Sequence, residues 1–166
     1  HYAVTCTTRS MRPGESEGVS YHFVPAERFA AMQRSGELLE AATVHGSQYG
    51  TPLAQVSEAI ALGVDVLLKI DVQGASQVKS RVPDAVFIFL APPSMPELIA
   101  RLTNRRTESE AQLQTRIADA YEEMKHLPSY DYVVVNRADR LDEAVERVEA
   151  IVAAEGCRVR PRQVKL

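Results

Sequence analysis

The chain has 166 residues, 45% of them hydrophobic and 25% charged, the make-up of one main globular unit with apolar material for a sizeable core. Its formal net charge of −3 excludes a general nucleic-acid or membrane-surface binder, because such proteins carry a basic excess, so any anion site must be local. Cys6 and Cys157 stand far apart without metal-ligand spacing, and no stretch approaches the roughly 18 apolar residues of a spanning helix; a reduced, cytoplasmic protein without a leader is expected.

The first stretch with chemical content is TCTTRSMRPGE over residues 5–15, where Arg9 and Arg12 lie three apart behind a cluster of hydroxyls and ahead of Pro-Gly. A guanidinium presents a planar fork of donors that matches phosphate or carboxylate, and short hydroxyl side chains add donors nearby. The stretch reads as an anion grip or, equally, as a solvated charged turn. Residues 19–62 read as an insertion, with short strand-like pieces, VSYHFV and LLEAATV, around a helix over 25–34. Gly36, Gly46 and Gly50 punctuate it, Pro52 opens a second helix and Gly63 closes that helix. Inside the insertion stand Glu40, Tyr49 and Thr51. A carboxylate can accept two parallel hydrogen bonds from N1 and the exocyclic amino group of guanine, and a hydroxyl can donate to O6; adenine lacks that donor pair. His45 reads as structural, as a lone histidine near a turn usually is.

The run VDVLLKID over 64–71 is almost continuously apolar and β-branched, the pattern of a parallel strand covered on both faces. AVFIFLA over 85–91, stopped by Pro92 and Pro93, and YVVVN over 132–136 are further strands of this kind. Leu113, Ile117, Ala120, Tyr121 and Met124 follow helical spacing, as do Leu141, Ala144, Val145, Val148, Ile151 and Val152. Alternating strand and helix predicts an α/β fold with a parallel sheet. Ligands in such sheets bind outside the carboxyl ends of the strands, where Asp71 and Asn136 stand. Asp71 opens DVQGA, whose glycine lets a helix pack closely against the strand, and Asp71 reads equally as the N-cap of that helix. Arg101, Arg105, Arg106 and Arg116 surround a polar stretch between helices, which suits a lid over a nucleotide triphosphate or a solvated face paired to Glu108 or Glu110. The tail CRVRPRQVKL over 157–166 reads as an exposed extension.

Taken together, TTRSMRPGE…GVSYHFV, GELLE…VHGSQYGT, DVLLKIDVQGA, FIFLAPPS, RLTNRRTES and YDYVVVN resemble the guanylate kinase family in order and approximate spacing, over residues 5–154. The resemblance implies a parallel-sheet P-loop kinase core (1–8, 63–100 and 117–156), a small mixed α+β GMP-binding insertion (9–62), a helical lid (101–116) and a C-terminal tail. It implies transfer of the γ-phosphoryl of ATP to GMP, giving GDP and ADP, with Mg²⁺ on the phosphates. Arg9, Arg12, Tyr21 and Tyr49 would hold the GMP phosphate. Glu40, Thr51, Asp71 and Thr5 would read guanine, with Cys6 a weaker candidate. Arg101, Arg105 and Arg116 would clamp the ATP phosphates and act in catalysis, Asn136 would lie near the adenine, and Arg106 would assist or be solvated.

Two departures stand out. Ala41 occupies the place after Glu40 where the family commonly has tryptophan. The family's phosphate-binding loop, G-x-x-x-x-G-K-[ST], is expected upstream of Arg9 and is found nowhere in these 166 residues. Either residues preceding His1 supply it, or the chain is a binding module without transfer activity.

Overall fold

The structure, a computed structural model, describes residues 1–104 and 110–166. Two compact units make it up, the first of residues 1–85 with 164–166, the second of residues 86–163.

The first unit is built on a four-stranded sheet. Strands β1 (Cys6–Thr7), β2 (His22–Phe23), β3 (Leu38–Val44) and β4 (Ser47–Pro52) lie in the order β2-β1-β4-β3, with β1 parallel to β2 and the other pairs antiparallel. The tight β3–β4 hairpin turns on His45 and Gly46, both at positive φ (48° and 79°), as a two-residue hairpin turn of matching twist requires. His45 is thus the turn residue that the sequence suggests. Helix α1 (Ala26–Arg34) buries Phe29 and Met32 against Cys6 and Leu38, which places the Cys6 thiol in the core rather than in a site. Burial, its largest cause, pushes that thiol up to about 11.

Helix α2 (Leu53–Ala61) follows, and α3 (Val72–Arg81) runs along the outer edge of β3. Gln77 exchanges two hydrogen bonds with the backbone of Ala41, Gln73 donates to the Thr43 carbonyl, and Arg81 donates to the carbonyls of Leu38 and Leu39. The geometry explains the match. Residues 39, 41 and 43 face one strand edge, and two strand residues advance about 6.6 Å. Residues 73, 77 and 81 share a helix face, and four helix residues advance about 6 Å, so the two repeats stay in step.

Residues 64–71 depart from the expected buried strand. They form one parallel bridge, Leu67 to Tyr2, with Leu67 N–H donating to the His1 carbonyl and Ala3 N–H to that of Leu67. Val64 and Leu67 are exposed. A continuous apolar run records a preference for cover on two faces; among the described residues this one has a ladder on a single edge.

In the second unit, β5 (Ile88–Ala91) pairs in parallel with β6 (Tyr132–Val135), from Ile88 opposite Tyr132 to Ala91 opposite Val135. Parallel neighbours need a long crossover, and here it carries α4 (Met95–Asn104) and α5 (Glu110–Met124). Helix α6 (Leu141–Gly156) follows β6. The tail, expected as a loose extension, is tied down by ion pairs: Arg162 pairs with Glu155 at 2.9 Å and Asp131 at 3.4 Å, Arg158 with Glu155 at 3.5 Å, and the Tyr132 hydroxyl donates to Glu155 at 2.5 Å. No helix among the described residues is long and apolar enough to cross a membrane.

Candidate functional site

Glu40 projects from β3 into a pocket of the first unit lined also by Thr5, Tyr21, Tyr49, Lys69 and Asp71. Its residue is 3% exposed, and its Oε1 accepts from the Thr51 hydroxyl at 2.6 Å. Burial raises the Glu40 carboxyl above the ordinary range, the Thr51 hydrogen bond opposes this and the Asp71 charge adds to it. Asp71 is the N-cap of α3: its Oδ1 accepts from Gly74 N–H at 2.9 Å, and its Oδ2 accepts from the Gln73 amide at 3.0 Å. The N-cap reading of Asp71 holds, and the capping carboxylate also lines the pocket. Thr51 is 1% exposed and meets the pocket through Glu40. Two acceptor carboxylates in one pocket call for a ligand that brings several N–H donors.

Arg9, Tyr21 and Tyr49 form a second cluster. The Arg9 guanidinium stands 5.4 Å from the Tyr21 ring centroid, and the Tyr21 and Tyr49 rings meet edge to face at 5.9 Å. The Tyr49 hydroxyl interacts with Arg9. The Arg9 fork is bidentate on Glu15, at 3.0 and 2.7 Å, and the Arg12 N–H donates to Glu15 at 2.7 Å. That pairing is the largest cause holding Glu15 below the ordinary carboxylate range and Arg9 above its own. Arg9 Nε is buried without a partner among the described residues. Arg12 is exposed. A cationic fork beside two phenols is the chemistry of an anion site, and a carboxylate occupies it here.

In the second unit Arg101, on α4, donates to the carbonyl of Asn136 at 2.9 Å and pairs with Glu97. Its Nε is also buried without a partner among the described residues. Asn136 follows β6 and its N–H donates to the Ala91 carbonyl at 2.9 Å. Arg116 lies on α5, half-buried. Arg105 and Arg106 lie outside the described residues.

A family model described as guanylate kinase matches residues 1–155. A curated guanylate kinase of Streptococcus thermophilus (strain CNRZ 1066) is 49% identical over 158 residues, covering 95% of this chain and 75% of the relative. The chain belongs to the guanylate kinase family. A guanylate kinase of Desulfitobacterium hafniense (strain Y51) is 48% identical over 159 residues, covering 96% of this chain and 78% of that one. The crystal structure of guanylate kinase from Anaplasma phagocytophilum superposes with a TM-score of 0.82 at 36% identity, over 96% of this chain and 77% of that chain. The α/β fold is therefore that of guanylate kinases.

Three residues of the candidate site escaped the sequence reading. Glu15 holds the Arg9 fork; the Pro-Gly that precedes it in RSMRPGE is the turn that returns it there. Gln73 holds Asp71, and Lys69 lines the pocket two residues before it.

Proposed function

We propose that in this guanylate kinase, an ATP:GMP phosphotransferase, the pocket of Glu40 and Asp71 reads guanine and the cluster of Arg9, Arg12, Tyr21 and Tyr49 holds the 5′-phosphate. The observation that carries the reading is the buried Glu40 carboxylate, with one oxygen held by Thr51, sharing a pocket with Asp71. Such a pair accepts the N1–H and amino donors of guanine, and a base without them leaves acceptor capacity of the two carboxylates unused in a buried site. Thr51 supports this by orienting Glu40, and Thr5 by lining the same pocket.

In the phosphate cluster, an incoming phosphate competes with Glu15 for the Arg9 fork and gives the orphan Nε an acceptor. Arg101, Arg105 and Arg116 serve as the catalytic lid (101–116), neutralising charge that spreads over the transferring phosphoryl, and Asn136 lies near the adenine. Supporting this for Arg101 is its own buried, unpartnered Nε. Mg²⁺ enters as part of the MgATP substrate. Among the described residues no three His, Cys, Asp or Glu side chains gather to hold an ion. We further assign the protein to the cytoplasm, a setting supported by its two free cysteines.

Titration calorimetry of the chain with GMP and with AMP tests the reading. Selective GMP binding that Glu40→Gln abolishes is expected; equal binding of both nucleotides, or a Glu40→Gln variant that binds GMP as the parent does, overturns it.

A further inference from the structure

Gly74 sits in the first turn of α3 at an ordinary helical φ, where the backbone has no need of glycine and glycine is among the poorest helix formers. Its reason is space. A Cβ built there would lie 2.5 Å from Glu40 Oε2, 3.1 Å from Glu40 Cδ and 3.3 Å from Asp71 Oδ1. The same residue's N–H donates to Asp71 Oδ1 at 2.9 Å. Gly74 therefore touches both carboxylates, one with its amide and one with the room left by its missing side chain.

We propose that Gly74 is a specificity-determining positioning residue, the floor on which the Glu40 and Asp71 carboxylates stand side by side. The inference rests on the reading of Glu40 and Asp71 as the guanine-binding pair. Helix and strand are held in register by Gln77 and Arg81, so the backbone cannot back away to admit a methyl group. The flexible partner in the contact is the Glu40 side chain, whose Oε1 is anchored to Thr51. A Cβ at position 74 thus swings the base-reading carboxylate off its place while the fold is retained.

Gly74→Ala, Glu40→Ala and the double variant, each titrated with GMP and with inosine monophosphate, test this. Inosine monophosphate keeps N1–H but lacks the 2-amino donor. Gly74→Ala is expected to weaken GMP by about 10-fold or more, the loss of one well-made polar contact, and to shrink the preference for GMP over inosine monophosphate. It should add no further loss in the Glu40→Ala background. An equal loss for the two ligands, an unchanged GMP affinity, or full additivity with Glu40→Ala overturns the proposal. If Glu40→Ala binds GMP as the parent does, the guanine reading itself has failed; if it is impaired while Gly74→Ala is not, the positioning role alone has failed. Should Gly74→Ala not fold, a folded double variant upholds the contact and an unfolded one overturns it.

Discussion

At Glu40, burial works against the state that a guanine base requires. The folded-state carboxyl is raised, chiefly by burial, so the folded protein holds its proton to higher pH than the unfolded chain does. Its contribution to stability is fully present below the ordinary glutamate value of about 4.3 and is lost as pH rises through the raised one. Glu40→Gln, which can still accept from Thr51, should therefore melt at a higher temperature than the parent at neutral pH. The gap should close as pH falls toward the ordinary value, and a parallel pair of melting curves across pH checks it. Guanosine affinity should fall on acidification as Glu40 takes up its proton; guanosine serves because it carries no titrating phosphate. At Arg9 the expectation concerns geometry. Arg9→Lys keeps the charge and removes the fork, so GMP should bind about 10- to 100-fold more weakly while guanosine changes little. Calorimetry with the two ligands checks this, and equal losses would remove Arg9 from the phosphate site.

Between elements, the position of Glu40 relative to Asp71 is set by the seam of α3 against β3. Gln77→Ala leaves the Ala41 N–H and carbonyl without their partner, which should cost about 1–3 kcal/mol in urea unfolding. GMP affinity should fall with it, because the two carboxylates ride on the two elements joined there. This seam also marks the limit of what the sequence discloses. Strand β3, helices α1 and α2 and the separate strands β5 and β6 are visible as local patterns, because period and turn chemistry act within a few residues; strand β4, polar and broken by Gly50, is not. Asp71 and Glu40 could be named from residue type and motif. Gln73, Gln77 and Arg81 could not: glutamine spaced by four on a helix looks like a solvated face until the strand edge 30 or more residues away is known to lie beside it. Residues 64–71 misled in the opposite sense, since an apolar run reports affinity for cover without naming the strands that provide it.

Across the molecule, electrostatics ties a segment that composition suggested was loose. Glu155 is held down to about 2 by Arg162 first and by the Tyr132 hydroxyl. A depressed carboxyl contributes stability that is present above the ordinary value and lost as pH falls through about 2. Acidification should therefore release the tail around Arg162, detectable as faster proteolysis within residues 157–163 and a change in Tyr132 fluorescence; Glu155→Gln should show that faster cleavage already at neutral pH. The row of Gln73, Gln77 and Arg81 has one more consequence, for the protein among its own copies. A bare strand edge is a template on which another chain can add a strand, and proteins blunt such edges with charge, bulges or a covering helix. Here a helix supplies amides and a guanidinium in the positions a neighbouring strand would fill, so the Ala41 N–H and the Leu39, Ala41 and Thr43 carbonyls of β3 are already taken. Variants that strip the row should scatter more light as concentration rises, at temperatures where the parent stays dispersed.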